Sequence, residues 1–181
     1  MMLLSYPEAV AKYGSDYQLK KAIITGSIFK IRPGVYAFDA NADETAELFV
    51  KYDHIVLTLA SAFYYHHVSD YVPDRIHVAT PKNAYPIERP NVKQYFLTKD
   101  YYDVGIMEVK QDDHTIKVYD LERSLIELIR YQTKMPFEEY FHVLKNFREI
   151  ADKMDFSKLT KYARKFKSYG KIINTVRNSI M

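Results

Sequence analysis

Three groups of residues in this chain have side chains of the kinds that bind metal ions or transfer protons. His66 and His67 are adjacent within a stretch whose apolar spacing predicts a helix. Neighbouring positions of a helix face different directions, and two metal ligands on one helix need three- or four-residue spacing. Asp112, Asp113 and His114 precede a predicted strand and have the composition of a solvated turn. We therefore interpret neither group as a catalytic or metal site.

The third group lies at the start of a strongly periodic helix and consists of Asp120, Glu122, Arg123 and Glu127. Arg123 and Glu127 are four residues apart and so share a helix face, where opposite charges can pair. Asp120 is of the type that caps helix N-termini. We predict a structural ion-pair cluster here rather than acid–base chemistry.

Other features that catalysis needs are missing from the sequence. There is no glycine-rich phosphate loop, no nucleophile motif and no cysteine. We therefore predict that the protein is not an enzyme and needs no metal or cofactor. The absence of cysteine, of a leader-like N-terminus and of any run of about 18 apolar residues predicts a cytoplasmic protein that does not enter the membrane.

Charge is distributed unevenly along the 181 residues, although the net charge is only +3. No acidic residue follows Asp155, whereas basic residues continue towards the end of the chain. Helical spacing places three of the lysines on one predicted stripe. We predict that this stripe binds a polyanion or an acidic partner, the alternative being a solvated helix face. The basic C-terminal surface comprises Lys158, Lys161, Arg164 and Lys165, and Tyr162, Ala163 and Phe166 lie on the side predicted to pack inward.

The first forty residues predict two short helices. Ser5 and Glu8 have the spacing of a capping box, so the first helix is expected to begin at Tyr6. Ser15 repeats this capping pattern for the second helix. That helix is expected to end at Gly26, because glycine favours helix C-termini.

Two strand-like runs, 28–31 and 35–38, follow these helices and flank Arg32-Pro33-Gly34, which predicts a hairpin. The order helix, turn, helix and hairpin predicts a winged helix-turn-helix, whose second helix would enter the major groove of DNA. The polar residues of this helix and hairpin are of types that contact bases and phosphates. The predicted DNA-binding residues are Ser15, Tyr17, Gln18, Lys20, Lys21, Lys30 and Arg32. A helical hairpin that only caps another domain is the alternative.

The remainder of the chain predicts a mixed α/β domain that ends in helices. We therefore divide this α+β protein into a compact winged helix-turn-helix at 1–41 and an α/β domain at 42–181. A complete winged helix usually has a helix in front of these two, so we expect residues 43–52 to cover that side. Helices are predicted at 43–52, 54–67, from 121 onward, and at 136–148, 156–169 and 171–179, with strands at 75–80, 92–97, 105–110 and 114–119.

Three stretches in a fixed order resemble a known family. They are residues 31–36 (IRPGVY) in the hairpin, 59–66 (LASAFYYH) followed by the strand 76–81 (IHVATP), and 118–127 (VYDLERSLIE) at a helix start. Across nearly its whole length the chain is similar to the AbiEi family, which comprises the antitoxins of type IV toxin–antitoxin systems in abortive phage infection.

The resemblance implies a transcriptional autorepressor that binds duplex DNA at inverted repeats in its own promoter. It also implies that the C-terminal domain opposes a nucleotidyltransferase-like toxin without forming a stable complex with it. Two alternatives remain open from the residues. One is a solitary winged-helix regulator, and the weaker one is a metal-dependent nuclease that uses Asp112, Asp113, His114 or Glu122.

Overall fold

A computed structural model describes residues 2–39, 43–111 and 114–181 of the chain. Within these ranges the protein is mixed α+β, with nine α-helices and two sheets. The chain divides into two compact units, the first comprising Met1–Ile55 and Glu108–Ile116, and the second Val56–Met107 and Lys117–Met181. The first unit therefore continues beyond residue 41, where the sequence was divided. No helix in the described ranges has the length and apolar character needed to cross a membrane.

The first unit is built on a small antiparallel sheet with the strand order β1-β3-β2. Its elements are β1 (Leu3–Ser5), α1 (Tyr6–Tyr13), α2 (Asp16–Ile24), β2 (Phe29–Arg32), β3 (Val35–Ala37) and α3 (Glu44–Lys51). The two predicted helices, the hairpin and the helix after it are all present, with ends within one or two residues of those predicted. The strand β1 was not predicted, because a three-residue strand has no recognisable period.

Side chains of the small sheet alternate between two cores, as the pleat of a strand requires. Leu4 and Tyr36 pack on one side with residues of α1 and α2, among them Ala9 and Leu19. Leu3, Val35 and Ala37 pack on the other side with Ala46 of α3. The segment 43–52 thus covers the open side of the sheet, as we expected from the sequence.

Short polar contacts fix the ends of α1 and α2. The Ser5 backbone N–H and side-chain Oγ both donate to Glu8 Oε2, at 2.7 Å each. Gly14 ends α1 in the left-handed region, with φ at 84°, where glycine is favoured. Ser15 Oγ then accepts a hydrogen bond from the Gln18 N–H at the start of α2. The turn between the helices is therefore defined by residues whose types predicted it.

The second unit combines a five-stranded sheet with a group of helices. The strand order is β6-β5-β4-β8-β7, in which β4 is antiparallel to β5 and parallel to β8, and β5 is parallel to β6. The elements of this sheet and these helices are β4 (Val56–Leu57), α4 (Leu59–Tyr65), β5 (Ile76–Pro81), β6 (Val92–Leu97), α5 (Lys99–Tyr102), β7 (Ile106–Gln111), β8 (His114–Tyr119), α6 (Leu121–Tyr131), α7 (Phe137–Glu149), α8 (Phe156–Ala163) and α9 (Tyr169–Ser179), with 3₁₀ turns at Gln132–Lys134 and Ala151–Lys153. The parts of β7 and β8 that fall within Glu108–Ile116 belong to the first unit.

The predicted helix 54–67 is wrong in its first half. Val56 and Leu57 form β4, and α4 begins only at Leu59. Leu57 pairs with Val78 on one side and with Val118 on the other, so strand pairing far along the chain overrides the local apolar pattern. The predicted helix 156–169 is also too long, because α8 ends at Ala163. The one-turn helix α5 was not predicted.

The core of the second unit is centred on α6. Four of its apolar residues, Leu125, Ile126, Leu128 and Ile129, are completely buried. They pack with residues of α4, α7, α8 and α9 in one continuous cluster. Phe63 of α4 and Phe147 of α7 meet there edge to face, with ring centres 6.3 Å apart. The helix that carries the predicted charge cluster is thus also the central core helix.

Candidate functional site

The outward side of α2 is the first candidate surface. Leu19 and Ala22 are buried, which turns the opposite side of the helix away from the core of the first unit. The exposed residues on α2 include four that were predicted from the sequence, namely Tyr17, Gln18, Lys20 and Lys21. Ser15, the fifth, is partly buried and caps the helix.

An apolar residue on the same side of α2 was missed from the sequence. Ile24 is 85% exposed, and Tyr17 is 73% exposed. Tyr17, Lys21 and Ile24 are spaced four and three residues apart and therefore form one stripe along the helix. The spacing could have revealed Ile24, but its apolar character favoured a core position. The stripe places an aromatic ring, a cation and an aliphatic group side by side.

The two lysines of α2 differ in their electrostatic surroundings. Lys20 Nζ lies 2.6 Å from Asp16 Oδ2, and Asp16 also accepts a hydrogen bond from the Tyr6 hydroxyl at 3.2 Å. The hydrogen bond from Lys20 lowers the pKa of Asp16 below its ordinary value. Lys21 forms no ion pair within the described part of the chain. Lys21 therefore presents a full positive charge, whereas that of Lys20 is partly compensated.

The hairpin residues predicted to bind DNA also differ from each other. Lys30 on β2 is exposed. Arg32 instead turns towards α3, where its Nε lies 2.7 Å from Glu47 Oε2 and its Nη2 lies 3.7 Å from Glu44 Oε1. Glu47 is buried, so this contact fixes the hairpin to α3. Arg32 is thus partly neutralised by two carboxylates.

The predicted ion-pair cluster at the start of α6 consists of two groups of charges. In the first, Arg123 is fully buried and its Nη2 lies 2.5 Å from Glu127 Oε1. Arg130 Nη1 lies 2.9 Å from the same oxygen. The guanidinium carbon of Arg123 lies 4.6 Å from the ring centre of Tyr119 and 4.5 Å from that of Phe166. Cation–π contacts thus enclose a buried charge for which the described residues supply one carboxylate partner, Glu127.

Arg123 is held by charge and ring contacts more than by hydrogen bonds. None of its three guanidinium nitrogens makes a hydrogen bond of good geometry within the described residues, although Nη2 is close to Glu127. Gly105 packs directly against it, and a Cβ at that position would lie 2.6 Å from the Arg123 Cβ. Glycine is therefore required at 105, both for this approach and for its φ of 77°.

The second group of charges joins the start of α6 to α8. Lys158 Nζ lies 3.0 Å from both Asp120 Oδ2 and Glu122 Oε2. Asp120 Oδ1 accepts the Arg123 N–H at 2.9 Å, which makes Asp120 the cap of α6. Burial by itself would lower the pKa of Lys158, but the hydrogen bonds to the two carboxylates and their charges raise it above its ordinary value. Lys158 is therefore a structural cation.

This arrangement corrects the prediction of a basic stripe on α8. Lys158 is only 39% exposed and pairs with carboxylates, so it does not form an open surface with Lys161. Lys165 and Arg164 lie beyond Ala163, the last residue of α8, so the helical spacing does not extend to them. The inward side was predicted correctly, since Ala163 and Phe166 are buried and Tyr162 packs against the same core. Lys161, Arg164 and Lys165 remain exposed.

Of the histidine and aspartate groups, His66 makes a structural contact, and both ring nitrogens of His114 are buried without a hydrogen-bond partner among the described residues. His66 ends α4, and its Nε2 donates to the Tyr119 carbonyl at 2.7 Å. Burial lowers the pKa of His66 below its ordinary value. Asp112 and Asp113 lie outside the described residues. In the part of the chain that is described, no three histidine, aspartate or glutamate side chains come together as metal ligands.

Comparison with known proteins adds no relative to this picture. No family model matches the chain, and no curated protein matches it at a significant level.

Proposed function

We propose that this protein binds duplex DNA through the outward side of α2, with the β2–β3 hairpin as a wing beside it. The observation that carries the proposal is the exposed stripe of Tyr17, Lys21 and Ile24 on a capped helix. An α-helix fits the major groove, where a lysine can bond to guanine and an aliphatic group can contact a thymine methyl group.

The residues of the first unit divide into those that contact DNA and those that position them. Gln18 and Lys21 are proposed to contact base edges, and Lys30 a phosphate on the hairpin side. Arg32 is proposed to hold the wing through Glu47 at 2.7 Å, which makes it a positioning residue instead of the main phosphate contact. Lys20 contributes less than Lys21, because Asp16 compensates its charge.

We further propose that the protein is an autorepressing antitoxin of the AbiEi kind that opposes a nucleotidyltransferase-like toxin. Two observations support this second proposal. The first is the order of the three motifs along the sequence, and the second is the packing of the residues of the third motif. In that motif Asp120 caps α6, while Glu122 and Arg123 hold charge pairs inside the second unit. A motif used for internal packing fits a protein whose second unit acts by binding rather than by catalysis.

DNA binding can be tested by fluorescence anisotropy with duplex DNA from the protein's own promoter. Lys21→Ala and Ile24→Ala are each expected to weaken binding about 10- to 100-fold, at roughly 1–3 kcal/mol per base contact. Lys30→Ala should reduce the salt dependence by about one unit, as loss of one phosphate contact does. The control is Lys99→Ala, because the Lys99 side chain is 91% exposed in the other unit. Equal affinity of the α2 variants and the control would refute this interface.

Antitoxin activity needs a separate test, because a solitary regulator would bind DNA equally well. The protein is co-expressed with a nucleotidyltransferase-like protein encoded beside it, and growth is measured. The proposal expects growth to be restored, both by the parent protein and by Lys21→Ala, which loses repression only. A protein that represses its promoter but never restores growth is a solitary regulator.

A further inference from the structure

The second unit contains a cleft of about 730 Å³ that none of the preceding functions uses. Its size lies within the range of small-molecule sites, which is roughly 300–1,000 Å³. The cleft is lined by residues of α4, β5, β6, the 3₁₀ turn after α6 and the start of α7, together with the loop between α4 and β5. Apolar, aromatic and charged side chains all contribute to its lining.

One wall of the cleft is aromatic. The rings of Tyr95 and Tyr131 meet edge to face with their centres 5.7 Å apart. His77 lies beside Tyr95 at 5.6 Å between ring centres, and its Nδ1 is 3.3 Å from the tyrosine hydroxyl. Planar ligands bind to such walls by stacking or edge contacts with the rings. The hydroxyl groups and the histidine also provide hydrogen-bonding groups at the ring edges.

Two lysines stand beside these rings without an acidic partner. Lys93 Nζ lies 5.7 Å from the ring centre of Tyr95, and Lys134 Nζ lies 5.0 Å from that of Tyr131. Neither lysine forms an ion pair with any carboxylate in the described ranges. Lys93 is partly buried, so water screens its charge less than that of a surface lysine.

Three carboxylates also line the cleft, but within the described residues none of them forms an ion pair with Lys93 or Lys134. Asp74 lies nearest to its neighbour Arg75, at 3.9 Å from the guanidinium Nε. Glu138 and Glu139 lie in the first turn of α7, where the positive end of the helix dipole offsets part of their charge. Burial, and then the charge of Lys93, lowers the pKa of His77 to about 4. The histidine is thus neutral at pH 7 beside a lysine for which the described residues supply no ion-pair partner.

The lip of the cleft is held by contacts to α7. Tyr71 and Val72 are exposed there, and the Tyr71 ring packs edge to face on His142 of α7 with centres 5.4 Å apart. Asn146 of the same helix donates to the Val68 carbonyl at 3.1 Å. The loop between α4 and β5 is therefore fixed to α7. A fixed lip lowers the entropic cost of binding, since no loop has to be ordered first.

We propose that this cleft binds a small planar aromatic anion, whose ring packs on Tyr95 and Tyr131 and whose anionic group contacts Lys93 and Lys134. The anionic group is a phosphate or a carboxylate, so the ligand is either a nucleoside monophosphate or an aromatic acid. This proposal is independent of DNA binding, because every residue it uses belongs to the second unit.

Calorimetric titration of the full chain distinguishes the two classes of ligand, a nucleoside monophosphate and an aromatic acid. The probes are adenosine monophosphate, uridine monophosphate, indole-3-acetate, adenosine and inorganic phosphate. We expect at least one aromatic anion to bind with a Kd below about 1 mM. Adenosine and phosphate, which each lack one half of the proposed chemistry, should bind at least tenfold more weakly. Absence of saturable binding by all three aromatic anions overturns the proposal, as does adenosine binding as tightly as its monophosphate.

Substitutions locate the site and test the sign of its charge. Lys93→Gln should weaken the best probe at least tenfold, whereas Lys82→Gln, in the loop after β5 and outside the cleft, should not. Val72 is 73% exposed at the lip, so substitutions there leave the core intact. Val72→Glu should weaken binding more than Val72→Lys, although the two new side chains are of similar size. The opposite order, or unchanged affinity in Lys93→Gln, overturns an anion site in this cleft.

Discussion

Basic residues occur in two regions of this protein, exposed in one and paired with carboxylates of the fold in the other. On α2 they lie at the surface of the first unit, and no carboxylate in the described ranges forms an ion pair with Lys21. In the second unit, Arg123 of α6 is fully buried, and the partly exposed Lys158 of α8 bridges two carboxylates. Counted along the chain, these residues look alike. The comparison shows that the number of positive charges indicates a binding surface only where no acidic group of the fold neutralises them.

The largest expected effect is at Arg123. Arg123→Ala removes the charge that faces Glu127 and empties the space between Tyr119 and Phe166. Breaking one side of a buried ion pair costs about 3–5 kcal/mol when the remaining charge is left unpaired. Glu127 keeps its contact with Arg130 at 2.9 Å, so we expect a loss at the lower end of this range. Urea unfolding of the variant measures this change in the free energy of unfolding. A loss below about 1 kcal/mol would mean that Arg123 contributes no more to stability than a surface cation does. The contrast between the basic residues of the two regions would then not hold.

A partly buried histidine of the second unit, His77, should make the free energy of unfolding depend on pH. Because the pKa of His77 is lowered to about 4 in the folded protein, the unfolded chain binds a proton first as the pH falls below about 6.5. The free energy of unfolding should therefore decrease by about 2 kcal/mol between pH 7 and pH 5. His77→Gln is expected to flatten this dependence. An unchanged slope in His77→Gln would show that His77 does not cause this pH dependence.

Lys158 and Lys161 offer a comparison within one helix. Lys158→Ala leaves Asp120 and Glu122 without their shared cation and should cost about 1–2 kcal/mol, a value reduced because the lysine is partly exposed. Lys161→Ala should change stability by less than about 0.5 kcal/mol. Thermal unfolding of both variants provides the test. Equal losses would mean that the two lysines have the same role.

The smallest effect on stability is expected on α2. Lys21→Ala and Ile24→Ala should each change the free energy of unfolding by less than about 0.5 kcal/mol, because both side chains face outward. The same variants are the ones expected to lose DNA affinity. A large loss of stability in either would show that the outward side of α2 is part of the core of the unit.

Local patterns in the sequence predicted the elements whose signals are local. Ser5, Glu8 and Gly14 lie at the ends of helices because their types suit those positions, and Asp120 caps α6 for the same reason. The strand β4 could not be predicted, since Leu57 is extended only through its pairing with Val78 and Val118. Pattern reasoning also gave the Arg123–Glu127 pair, which depends on helical spacing alone.

The parts of the candidate sites that depend on distant residues were beyond sequence reasoning. Lys158 was placed on a basic stripe because its carboxylate partners lie more than thirty residues earlier in the chain. We predicted a DNA contact for Arg32 for a similar reason, because its partner Glu47 belongs to a later helix. Ile24 was overlooked because an apolar residue at the end of a helix usually faces the core. The DNA contacts themselves remain predictions.

The pairing of Leu57 with Val118 also affects the order in which the protein folds. These residues are about sixty positions apart, and the central strand β4 is complete only when β8 reaches it. Contacts between such distant residues form slowly, because a long loop must close first. The strands β1–β3 and helices α1–α3 all lie within residues 3–51. During synthesis on the ribosome we therefore expect this segment to fold before the last strands of the five-stranded sheet have been made.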